Sequence, residues 1–218
     1  TGSLHEIEAA CKRLLFDCGM IQGSPEAEAR NADAFPFEPG ALDALIVSHA
    51  HIDHIGRIPL LVQRGFDGPI YAQIATADLM SVMLLDAAGI AEGDAMRANR
   101  HRQRGQPEAV PLYTKDDVRV AMQRVEPIPY DARTELFPGV EMVFRDAGHI
   151  LGSCSVELWA DGRKVVFSGD LGPKGTPILR DPAVIAEADL VLMESTYGDR
   201  LHRERAETIH ELEEILDE

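Results

Sequence analysis

Short apolar runs punctuate the chain, and each hands over to polar residues: RLLF before Asp17, ALIV before Ser48, VEMVF before Arg145, VVF before Ser168 and LVLM before Glu194. Their length, their β-branched content and the turn residues at their ends predict strands. SVELWA and RKVVFS flank Asp161-Gly162, where glycine tolerates positive φ, so a hairpin and antiparallel pairing are expected in the second half. Helical spacing predicts helices over Gly56–Arg64, from Thr76 to about Arg104, over Lys115–Val125, and from Arg203 onward, where Ala206, Ile209, Leu212 and Leu216 form one apolar stripe. RQRGQPEAVPLYT reads as a loop between helices. With no internal repeat, the pattern predicts one sheet-rich α/β unit with a helical excursion.

The chemistry-bearing residues sit where these strands end, the usual place for function in sheet proteins. Asp17 ends the first run; His49, His51, Asp53 and His54 follow the second; His149 follows the third, Asp170 the fourth, and Glu194 ends the fifth. In HAHIDH, side chains two apart point the same way, so His49 and His51 can share an ion while Asp53 and His54 face a second one, about 3.5–4 Å away in two-metal hydrolytic sites. His149 in DAGHILGS offers a third imidazole, and Asp170 in FSGDLG offers two oxygens able to bridge. A lone histidine after a strand is ordinarily structural. Solvated charge, however, does not sit between an apolar strand and the apolar helix IGRIPLLV, so this cluster reads as a metal site. Imidazole with carboxylate suits zinc, and also manganese or iron.

Composition narrows the class without changing that picture. The 218 residues are 45% hydrophobic and 27% charged, as in an ordinary globular protein. The uninterrupted apolar stretches are well short of the roughly 18 residues of a membrane span, and no signal segment opens the chain, so no membrane partner and a cytoplasmic location are expected. Three cysteines without a CxxC pair indicate neither a disulfide framework nor a zinc knuckle. A balance of 21 basic against 37 acidic residues, net −16, argues against nucleic-acid binding by a broadly basic surface. Arg97, Arg100, Arg102 and Arg104 read as a solvated helix face, Trp159, Tyr113 and Tyr130 as core or rim, His202 and His210 as surface residues, and His5 as structural. The start at Thr1 and the stop inside RERAETIHELEEILDE read as a chain cut at both ends.

HAHIDH resembles the HxHxDH signature of the metallo-β-lactamase superfamily, and TGS, DCG, DAGHILGS, SGDLG and ESTYGDR make the chain similar to the β-CASP ribonucleases within it. These include bacterial RNA-processing exonucleases and the endonuclease subunit of the eukaryotic pre-mRNA 3′-end cleavage complex. The resemblance covers nearly the whole chain. It implies a four-layer αββα sandwich over residues 1–200, with 201–218 a C-terminal helix that opens the absent β-CASP region. It further implies two zinc ions whose bridging hydroxide attacks a phosphodiester, most naturally of RNA. His49, His51 and His149 would hold the first ion, Asp53 and His54 the second, and Asp170 would bridge. Asp53 would also orient the hydroxide, Asp17 would support a ligand histidine from behind, and Glu194 would act near the leaving group. Ser153, Ser195 and Thr196 are candidate substrate contacts. The β-CASP domain and a later histidine that completes the second ion's shell are missing, and a homodimer through the C-terminal stripe is expected to cover the apolar surface. A hydrolase of small phosphoesters or lactams, and a non-catalytic scaffold, stay open as alternatives.

Overall fold

The computed structural model describes residues 2–201, 203 and 205–217. Ten strands form two five-stranded sheets. In the first, β1 (His5–Ala9), β2 (Lys12–Phe16), β3 (Ala44–Val47), β4 (Ile70–Gln73) and β5 (Val125–Ile128) lie side by side in chain order. β1 and β2 pair antiparallel; the other neighbours are parallel. Parallel neighbours need crossovers. Here these are α1 (Pro25–Ala29) between β2 and β3, α2 (Ile52–Ile55) and α3 (Ile58–Gln63) between β3 and β4, and α4 (Ile74–Arg100) and α5 (Lys115–Met122) between β4 and β5. The second sheet runs β10 (Leu190–Leu192), β9 (Arg163–Phe167), β8 (Cys154–Ala160), β7 (Val140–Asp146), β6 (Thr134–Phe137). It is antiparallel except where β10 joins β9.

Period-two alternation sorts the first sheet's side chains between two cores. Leu15, Leu45, Val47, Ile70 and Ala72 face the helices, where Ile58, Leu61, Met80, Leu84, Val118 and Ala121 meet them. Leu14, Phe16, Ala44 and Ile46 point the other way, onto Met142, Phe144, Val156, Leu158 and Phe167 of the second sheet. A strand covered on both faces has no polar alternation, which is why ALIV is continuously apolar and wholly buried. The outer face of the second sheet is different. There Glu157, only 4% exposed, is held between Arg145 at 2.9 Å and Lys164 at 2.9 Å. Beside them residues 183–188, which form neither helix nor strand, border Ser155, Val166 and Val191 around one cavity.

Several boundaries move from the sequence expectation. Helix begins at Ile52, so Asp53 and His54 sit in a helical turn and not in a loop ahead of Gly56. α5 ends at Met122, and Val125 opens β5; β-branching and the nearby Pro127 favour an edge strand over further helix. The β8–β9 turn takes positive φ at both Asp161 and Gly162, the two-residue geometry that suits strand twist. α4 has the length and mean hydropathy of a membrane span, a feature the run-based reading passed over; its Met80, Leu84 and Ala88 are buried against the sheet. α6 (Arg205–Asp217) buries no described side chain, so its stripe of Ala206, Ile209, Leu212 and Leu216 is open. His202 lies outside the described residues.

Candidate metal centre

The site is built where β2, β3, β7 and β9 end together. β3 delivers Ser48 and His49, both fully buried; extended backbone at His51 then leads into α2, which turns Asp53 and His54 to the same side. The loop after β7 brings His149, and the loop after β9 brings Asp170. Two glycines permit the close packing this needs. A Cβ at Gly19 would stand 1.6 Å from the Asp53 carbonyl oxygen, and one at Gly172 would stand 1.7 Å from the Gly148 carbonyl oxygen. With hydrogen in those places, the DCG loop lies against the Asp53 turn and the Asp170 loop against that of His149.

Ring nitrogens converge on one point. His51 Nδ1 lies 3.0 Å from His49 Nε2 and 3.1 Å from His149 Nε2. Asp170 Oδ2 lies 3.7 Å from both His49 Nε2 and His149 Nε2. Hydrogen bonding alone does not explain three imidazoles presenting nitrogens to one another, since each shared proton satisfies one pair only. A tetrahedral cation with bonds of about 2.0–2.2 Å sets its donors roughly 3.3–3.6 Å apart, close to this arrangement. The four donor atoms all lie within 4.8 Å of one another, and the donor set of imidazoles with a carboxylate is that of a divalent metal site.

Asp170 looks both ways. Its Oδ1 lies 3.3 Å from His54 Nε2, and Asp53 Oδ2 lies 3.9 Å from the same nitrogen. Burial pushes the His54 imidazole down, but its hydrogen bonds to Asp17 and Asp170 overcome this and raise it to about 10. His49 goes the other way, down to about 2, through burial and the neighbouring His54 cation. Asp170 is held at about 2 because its hydrogen bond to His54 and the surrounding histidines outweigh its burial. Metal uptake by such a cluster exchanges protons for cation charge.

Asp17 organises the set from behind. Fully buried, it takes the His54 Nδ1–H at 2.7 Å, the Ser48 backbone N–H at 2.8 Å and the Ser48 hydroxyl at 2.8 Å, with Ser3 Oγ–H at 3.2 Å. Ser48 Oγ in turn lies 3.0 Å from His49 Nδ1. One carboxylate thus fixes His54 directly and His49 through a hydroxyl, turning the opposite ring nitrogen of each toward Asp170. Ser48 and Ser3 are given no role by the sequence reading; the signs were a hydroxyl immediately before HxH for Ser48 and the TGS motif for Ser3.

The remaining candidates divide. Glu194 accepts the Leu171 N–H at 2.7 Å, and with Ser195 and Thr196 it lines a cavity of about 370 Å³ that also reaches Asp53, His54 and Asp170. Ser153 is corrected. It is fully buried, and its Oγ accepts the backbone N–H of His149 at 3.0 Å and of Ile150 at 3.2 Å, so it braces the histidine loop out of reach of a substrate. His5 opens β1 as the strand reading expected, exposed at the rim of the same cavity with its ring 5.3 Å from that of Phe167. His210 is a surface residue beside Glu214. Tyr113 is core, and Tyr130 donates to the Ser153 carbonyl at 2.8 Å.

Among known proteins, the chain is 40% identical over 217 residues to ribonuclease TTHA0252 of Thermus thermophilus, covering all of this chain and 46% of that protein. It is 32% identical over 230 residues to transcription termination factor FttA of Methanocaldococcus jannaschii, covering all of this chain and 34% of that one. An RNase J-like protein of the same organism is 32% identical over 200 residues, 91% of this chain and 40% of its own length. The chain therefore spans less than half the length of these relatives. The profile of the Metallo-beta-lactamase superfamily matches residues 7–214, a span that contains every residue of the histidine–aspartate cluster. With two facing sheets and a divalent metal site at their shared end, the chain belongs to the metallo-beta-lactamase superfamily.

Proposed function

We propose that this chain is the metal-binding part of a hydrolase that cleaves phosphodiester bonds, with RNA as the substrate. The observation that carries it is the position of Asp170, one oxygen toward the three-histidine set and the other toward His54. That geometry supports two ions, the first held by His49, His51, His149 and Asp170, the second by Asp53, His54 and the far oxygen of Asp170. Zinc suits these donors, with manganese or iron as alternatives. When bound, such ions supply charge that acidifies water and neutralises phosphoryl oxygens. The chain's own residues do the rest. Asp53, its side chain 26% exposed at the cavity, orients the attacking water, and Glu194 presents its carboxyl beside the same cavity on the leaving-group side. The ribonuclease and RNase J-like names among the relatives support RNA as substrate.

Ser195 and Thr196 are exposed along the cavity, and that openness favours a second reading in which small phosphoesters also enter. Turnover of an RNA oligonucleotide and of a small phosphodiester by the metal-loaded chain in oxygen-18 water tests both. We expect RNA cleavage with the label in the phosphate product. Turnover of the small ester alone would favour the second reading, and a phosphoserine trapped at Ser48, Ser153 or Ser195 would contradict direct attack by water.

A further inference from the structure

We propose that His5 is a substrate-binding residue that stacks on the nucleobase next to the scissile phosphate, an inference that rests on RNA being the substrate. The placement of His5 is the starting point. Its register partner on β2 is Phe16, and the Phe167 ring packs against both, 5.0 Å from Phe16 in a stacked arrangement and 5.3 Å from His5 at a 54° tilt. Phe16 is fully buried and Phe167 nearly so, whereas His5 is exposed. The three rings make a row that begins in the inter-sheet core and ends with an imidazole open to the cavity.

An exposed histidine at the start of an edge strand is ordinarily just solvated. Two further observations separate this one from that case. The segment carrying it is tied to the metal centre: the Ser3 N–H donates to the Asp53 carbonyl at 2.8 Å, and the Gly19 N–H donates to the Ser3 carbonyl at 2.8 Å. Moreover, the ionisable groups along the cavity wall besides His5 are the carboxylates of Asp53, Asp170 and Glu194 and the His54 ring, with the hydroxyls of Ser3, Ser168, Ser195 and Thr196 between them. The carboxylates serve a phosphate held through metal charge and repel one that is not, so the phosphate has one place to go. The base is then left for the aromatic face that the exposed His5 offers in the same cavity. The cavity, about 370 Å³, is within the size range of small-ligand sites. Single-stranded RNA is generally read by bases stacked on Phe, Tyr, Trp or His rings.

Fluorescence anisotropy with a fluorescein-labelled phosphorothioate RNA oligonucleotide, and with the same oligonucleotide made abasic, tests the assignment in the metal-loaded chain. His5→Ala should weaken binding of the base-bearing RNA about fivefold, the low end of base–aromatic stacking, and leave the abasic RNA unchanged. His5→Phe should stay within about twofold of the unsubstituted chain because the stacking face remains. Metal content should match in all three proteins. Equal loss on both RNAs, no loss on either, a His5→Phe as weak as His5→Ala, or an unsubstituted chain that binds no RNA would each overturn the proposal. RNA binding with the expected pattern but no phosphodiester hydrolysis would remove the hydrolase reading and leave His5 in place. Cleavage of RNA that His5→Ala leaves untouched in KM would remove His5 and leave the hydrolase.

Discussion

Asp17 holds two histidines at once, and it does so from a backbone conformation that few residues adopt, with φ at 57°. Aspartate tolerates that region better than most non-glycine residues. Its carboxylate replaces water for the His54 N–H and the Ser48 hydroxyl, and removing it leaves both donors unpaired in a buried place. Asp17→Ala should therefore weaken metal binding about 10–100-fold, the range typical of groups that orient metal ligands, and Ser48→Ala by less because only the His49 branch is lost. Competition with a chelator of known affinity, alongside circular dichroism to show the fold intact, measures this. Unchanged affinity in Asp17→Ala would show that the ligands hold their places without it. His49, His51, His149 and Asp170, which the structure brings together, were legible in the sequence because polar residues crowd the ends of apolar runs, four of them within HAHIDH. Ser153 was misread because a serine takes its role from where neighbouring loops put it. Periodicity along one strand carries no trace of that.

Between elements, the loop contacts through Gly19 and Gly172 set the register of the site. Gly19→Ala places a methyl group on the Asp53 carbonyl and should move the whole α2 turn; Gly93→Ala, on α4 with no atom nearer than 3.5 Å to the added carbon, should not disturb the metal site. Metal titration of the two variants checks the contrast, and equal affinities would count against it. The outer face of the second sheet gives a separate test. Glu157→Gln leaves Arg145 and Lys164 without their shared carboxylate and should cost about 2–3 kcal/mol, below the roughly 3–5 kcal/mol of a fully buried pair because its partners are part-exposed. Burial alone raises the Glu157 carboxyl, but Lys164 and Arg145 more than reverse this and hold it below the usual glutamate range. Its contribution is thus complete above that range and lost as pH falls through the depressed value. Urea unfolding should show the gap between the unsubstituted chain and Glu157→Gln closing in acid; a gap that is constant with pH would contradict the pairing. Strand runs and the β8–β9 hairpin were legible in the sequence, since alternation and a turn glycine are local signals. β5 was not, because VEPI is short, contains proline and is a strand only by pairing with β4.

At the scale of the whole molecule, the proposed two-ion arrangement would not hold its ions equally. The first would have three imidazoles and a carboxylate oxygen, the second Asp53, His54 and the other oxygen of Asp170. On stepwise chelation the second ion should leave first, and equal affinities in a metal titration would contradict this. The open stripe on α6 belongs to the same scale: Ile209, Leu212 and Leu216 are 48%, 56% and 75% exposed, and we expect a second copy of the chain to cover them. Light scattering should then report a dimer, and a clean monomer would remove that expectation. The fold class was readable because buried strands and their polar ends follow from the chain itself. The path of residues 171–188 was not, since a stretch without helix or strand has no periodicity to betray it. The central claim is that Asp170 stands between two cation positions, and anomalous scattering at the zinc edge from crystals grown with zinc tests it most directly. The account predicts two peaks about 3.5–4 Å apart, one among His49, His51 and His149 and the other beside Asp53 and His54. A single peak remote from Asp170, or none within bonding distance of these side chains, would contradict it.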